Sequence, residues 1–123
     1  MRFTGKELTA VIKMAFSMAA ADGKFVDEER DAITFGMAEF GMGRNEILSC
    51  VAAAQKMEAS EAFAILSSMN PMQQKYATGY LAAVMAADGD VADSEVKMWQ
   101  LICTLAQFPT MTVGEALSFW QNN

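Results

Sequence analysis

Nine of the chain's 15 carboxylates fall in two short windows, and these are the side chains with the most chemistry to offer. Asp22, Asp27, Glu28, Glu29 and Asp31 occupy the first window, and Asp88, Asp90, Asp93 and Glu95 the second. Both windows read D-G-x-φ-x-x-x-E, where φ is the apolar Phe25 or Val91. Asp, Gly, a hydrophobe and Glu at this spacing match the second half of an EF-hand calcium loop, which makes Asp22, Glu29, Asp88 and Glu95 the candidate ligands of a divalent cation. The first half of that loop is missing, because its first and third positions fall on Met18 and Ala20 in one copy and on Val84 and Ala86 in the other. Calcium takes roughly six to eight oxygens, and two carboxylates with a backbone carbonyl supply too few for more than weak binding. The plainer expectation is structural: Asp22 and Asp88 accept turn N–H groups, Gly23 and Gly89 supply positive φ, and Phe25 and Val91 plug the core.

The remaining acids of the two windows, Asp27, Glu28, Asp31, Asp90 and Asp93, suit a protein partner. If the windows share one edge, they create a negative patch able to attract a basic surface. The competing role is local, since an acid in the first helical turn complements the helix dipole by about 0.3 to 1 kcal/mol. Catalysis finds little support. The chain has no histidine, so a nucleophile would need a Lys or carboxylate base, and only Glu46 lies within four residues of either cysteine, beside Cys50. Acids so near helix starts are expected to be solvated and ionised, with none held protonated as a general acid. Cys50 and Cys103 lack the spacing of a zinc site or redox pair and read as reduced, buried thiols of a cytoplasmic protein.

Helices must position these windows, and their starts are well marked. Thr4 and Glu7 form a capping box with Phe3 and Leu8 at the staple positions, predicting a first helix to about Ala21. Its apolar residues Leu8, Val11, Ile12, Ala15 and Ala19 follow one helical face, and Lys13 breaks the apolar stretch that a secretory signal would need. Asp27 predicts the cap of a second helix, Asn45 of a third and Ser60 of a short fourth. Asn70, Pro71 and Gln73 supply a cap, a first-turn proline and a capping-box partner for a long fifth. Asp93 predicts the cap of a sixth helix, stopped by Pro109, and Thr112 with Glu115 opens a terminal helix that carries Phe119 and Trp120. The helix opening at Asp93 confines its polar residues Lys97, Gln100, Thr104 and Gln107 to one narrow stripe, so it is expected to be central and buried.

An offset of 66 residues aligns Ala20 to Glu29 with Ala86 to Glu95, both reading A-A-D-G-x-φ-x-D-x-E. Two helical hairpins about a pseudo-twofold axis are the architecture this implies. At these residues the chain resembles the tellurite-resistance TerB family, which is similar in joining long helices through an A-D-G-x-φ-x-x-x-E turn; Ala21-Asp22-Gly23 with Glu29 and Ala87-Asp88-Gly89 with Glu95 carry the match. The resemblance implies a stress-associated helical domain with roles in metal-ion handling and membrane-associated complexes. The same domain type occurs in DnaJ-type co-chaperones, but no histidine is present for the His-Pro-Asp signature of a J-domain.

Composition fits this picture. With 53% hydrophobic and 20% charged residues in 123, one core suffices, and residues 1–123 are expected to form one all-α domain of about seven helices. A net charge of −6 with nine scattered Lys and Arg argues against nucleic acid, and no apolar run is long enough to span a membrane. The eleven methionines are expected to fill the core. The functional expectation is a non-enzymatic adaptor that uses its acidic edge to bind a protein partner and needs no cofactor. The alternative is a divalent-cation module built on the paired turns.

Overall fold

The computed structural model describes residues 3–20, 33, 36–87 and 91–122, apart from the side chain of Glu39. Six α-helices and no strand occur among them: α1 Gly5–Ala19, α2 Arg44–Lys56, α3 Ala59–Ser67, α4 Pro71–Met85, α5 Asp93–Leu105 and α6 Val113–Asn122, with a 3-10 turn at Met37–Phe40. The second helix expected from Asp27 lies mostly outside the described residues, and its tail is that 3-10 turn, closed by Gly41 at φ 80°.

Three helices begin with the capping boxes expected of them. Thr4 Oγ1 accepts from the Glu7 amide at 3.1 Å while Glu7 Oε1 accepts from the Thr4 amide at 2.8 Å. Asn70 and Gln73 repeat the exchange at 2.9 and 3.0 Å, as do Thr112 and Glu115 at 3.1 and 2.9 Å. The other caps differ from expectation. Gly43, Glu58 and Ala92 are the N-caps of α2, α3 and α5, without a side-chain cap hydrogen bond, and Asn45, Ser60 and Asp93 fall just inside the helices they were expected to cap. First-turn acids Glu46, Glu61, Asp93 and Glu95 complement the dipole there instead. α5 ends at Leu105, before Pro109. Gln107 adopts φ 59°, its amide bonds Thr104 O at 3.1 Å and the Phe108 amide bonds Cys103 O at 2.9 Å, a Schellman closure that turns buried Phe108 under the helix.

α1 and α4 are the centre of the bundle. They bury nine and ten residues respectively, and α1 packs on α2, α3, α4 and α5 while α4 packs on α5 and α6. This corrects the expectation that the helix opening at Asp93 is central: α5 buries only Glu95, Trp99 and Ile102, and Leu101 and Leu105 are each 51% exposed. An apolar circumference says which faces can be buried, and packing partners decide which are. α4 occupies the centre despite Gln73, Gln74 and Thr78, because their polar atoms are satisfied nearby. Gln74 Nε2 donates to Leu66 O at 3.2 Å, Thr78 Oγ1 to Gln74 O at 2.7 Å, and Gln73 Nε2 to Glu7 Oε1 at 3.2 Å. The last bond links the capping box of α4 to that of α1.

Of the ten described methionines only Met72 is exposed, in keeping with a core-filling role. The aromatic residues near the C-terminus also pack inward: Trp120 lies 5.6 Å from the rings of both Phe40 and Tyr80, and Phe119 stands edge-on to Tyr76 at 5.1 Å.

Candidate functional site

Two of the nine acids expected to form the site are described, Asp93 and Glu95. Asp22, Asp27, Glu28, Glu29, Asp31, Asp88 and Asp90, with Gly23 and Gly89, lie outside the described residues. Asp93 and Glu95 sit two residues apart in the first turn of α5 and meet different environments. Asp93 is exposed. Glu95 is 2% exposed, which corrects the expectation that every acid at these helix starts is solvated. On a helix, positions two apart diverge by about 200°, so one projects outward while the other points inward. An ionised carboxylate at such depth is stable only when donors or a positive charge compensate it. The burial of Glu95 had no signal in the sequence beyond its place in the repeated string.

Among the described residues no group of three or more His, Cys, Asp or Glu side chains is arranged to hold a metal ion. None of the described helices is long and apolar enough to cross a membrane.

Both cysteines are free; Cys50 is buried as expected, whereas Cys103 is only half-buried. Cys50 is buried and its thiol lies 3.8 Å from Gly5 O; Glu46 and Cys50 border the same groove of about 520 Å³, floored by Phe3, Leu8 and Phe40. Burial pushes the Cys103 thiol up from its ordinary 9.0 to about 12, and a hydrogen bond with the Thr78 side chain offsets part of the rise. Cys103 therefore stays protonated at neutral pH and is a poor nucleophile. The folded chain keeps this proton at pH values where the unfolded chain has lost it, so the stability tied to the neutral thiol is complete below about pH 9 and declines as pH rises towards 12. Between about pH 8 and pH 10.5 the wild type should lose roughly 1–2 kcal/mol more unfolding free energy than Cys103→Ala. Urea titrations at the two pH values measure this, and equal losses in the two proteins would show that burial does not shift the thiol.

Two features escaped sequence reasoning. Leu101 and Leu105, one turn apart on α5, present an apolar ridge to solvent, continued by half-buried Met98. Gly79 lies where α4 and α6 touch: a Cβ there would stand 2.9 Å from Ala116 O and 3.0 Å from Trp120 Cβ. The tight residue spacing of the ridge is visible in the sequence, but its exposure follows only from which helices cover α5.

No family model matches the sequence, and no curated protein matches it. Among solved structures, PG1108 from Porphyromonas gingivalis W83, a protein of unknown function, is 42% identical to this chain over 100% of its length and 99% of that protein's, with a TM-score of 0.90.

Proposed function

We propose that this chain, which belongs to the same family as the Porphyromonas gingivalis protein of unknown function, is a non-enzymatic cytoplasmic adaptor that docks a protein partner on the outer face of α5. The observation that carries the reading is the half exposure of both Leu101 and Leu105 on a helix whose first residue is the exposed acid Asp93. An apolar ridge with an acidic start suits a basic amphipathic segment: the ridge supplies contact area, and the acids, including Asp27, Glu28, Asp31 and Asp90 of the sequence windows, supply attraction. The likeness to TerB gives this adaptor its stress-associated setting, tellurite resistance included.

The internal duplication belongs to the same proposal. α1 and α4 are each 15 residues long, begin and end 66 residues apart, and carry capping boxes at that offset, Thr4 with Glu7 and Asn70 with Gln73. The hydrogen bond from Gln73 to Glu7 then lies across the pseudo-twofold axis, and in the sequence the two acidic windows follow α1 and α4 at the same offset.

Leu101→Glu with Leu105→Glu, and separately Glu28→Lys with Asp90→Lys, test the adaptor. The leucine changes fall at exposed positions and should leave the melting temperature nearly unaltered. A partner recovered from the native cytoplasm on the immobilised wild type should bind the leucine variant at least about tenfold more weakly, and the charge variant should lose most of its salt dependence. Wild-type affinity and salt response in both variants would overturn the proposal.

A second reading, weak divalent-cation binding by Asp22, Glu29, Asp88 and Glu95, rests on the paired D-G-x-φ-x-x-x-E strings. Calcium, zinc and magnesium titrations followed by amide shifts decide it: saturable shifts in both turns support cation binding, and unchanged spectra remove it.

A further inference from the structure

We infer that a cleft between α4, α5 and residues 108–111 binds a small, uncharged aromatic molecule. The cleft encloses about 330 Å³, at the small end of the roughly 300–1,000 Å³ typical of ligand sites, which suits one or two fused rings. Its walls carry two aromatic rings, Trp99 and Phe108, and two sulfurs, Cys103 and Met111. Trp99 is held in place by its indole N–H, which donates to Thr78 O at 3.3 Å, and Phe108 by the Schellman closure of α5. Rings and polarisable sulfur favour an aromatic guest through edge-on and sulfur–ring contacts.

Among the described residues that border the cleft none is acidic or basic, and the one titratable group among them, the Cys103 thiol, is neutral at physiological pH. Two of its hydroxyl donors are committed to helix backbone, Thr78 Oγ1 to Gln74 O at 2.7 Å and Thr104 Oγ1 to Gln100 O at 2.8 Å. An ionic guest would surrender hydration there without a compensating partner. The exposed residues Gln100 and Thr110 border the opening, where one polar edge of a neutral guest can remain in contact with water.

Indole serves as the probe, titrated into the full chain and followed by amide shifts. Saturable changes centred on Thr78, Cys103 and Met111 are expected, with dissociation constants on the order of 0.1–1 mM for so small a ligand. Indole-3-acetate and tryptamine, which add a negative and a positive charge to the same ring, should bind about tenfold more weakly or worse. Thr104→Phe and Thr110→Trp change exposed rim positions, so the fold should survive, as an unchanged melting temperature will verify. Each should reduce indole binding by about tenfold by filling the opening. No saturation by about 5 mM indole, shifts centred elsewhere, equal binding of the charged analogues, or wild-type affinity in both rim variants would each overturn the assignment.

Discussion

Gly79→Ala is expected to lower the stability of this protein by about 2 kcal/mol, where the same change in an ordinary helix interior raises it by about 1 kcal/mol. The sign follows from what the added methyl would meet. The Ala116 carbonyl at 2.9 Å and the Trp120 amide nitrogen at 3.4 Å are backbone atoms and have no rotamer through which to yield. Relief requires α6 to move away from α4, and that movement loosens Trp120 from Phe40 and Tyr80. With a melting-temperature change of about 3–6 °C per kcal/mol for a chain of this size, the fall should be roughly 6–12 °C. Gly5→Ala is the control, because no heavy atom lies within 4 Å of a Cβ placed there, and it should be close to neutral. If Gly79→Ala instead raised the melting temperature, the close approach of α4 and α6 would be wrong.

How far the sequence predicts this fold depends on the range of the interaction concerned. The boxes at Thr4, Asn70 and Thr112 close within four residues, so their signal is complete in the sequence, and all three form. Where the N-cap is Gly43, Glu58 or Ala92, no side chain announces the start, and the nearby Asn45, Ser60 and Asp93 attract the assignment by type alone. The identity of the central helix depends on long-range packing. Gln73, Gln74 and Thr78 give α4 a polar appearance, yet each is buried with its polar atoms satisfied, one of them by a bond across 66 residues to Glu7. α5 looks the more buried helix and is not, since Leu101 and Leu105 have no covering element among the described residues. The candidate site divides along the same line. The repeated acidic string is a local pattern, whereas the different fates of Asp93 and Glu95 depend on where α5 sits against α1 and α4.

Tyr80 should show the largest loss of any single truncation on the α4 surface that meets α6. Its ring is 1% exposed and packs against Phe40 and Trp120, each with centroids 5.6 Å away, and its hydroxyl donates to Ile33 O at 2.8 Å. Gly36 lies so close that a Cβ there would clash with the Tyr80 ring edge, which fixes the ring from the remaining side. Burial pushes the phenol well above its ordinary range, so the hydroxyl remains a neutral donor and its contribution declines only as pH rises beyond about 10. Tyr80→Phe preserves the ring contacts and removes the donor to Ile33, at an expected cost of about 1–3 kcal/mol. Tyr80→Ala also removes the aromatic contacts and leaves a cavity, for a total of about 3–5 kcal/mol. The difference between the two variants isolates the ring, and the Phe variant isolates the tie between α4 and the segment that contains Ile33. Urea denaturation of both at neutral pH provides the measurement. A cost below about 0.5 kcal/mol for Tyr80→Phe would mean that the hydroxyl holds nothing in place, and the link between α4 and Ile33 would have to be given up.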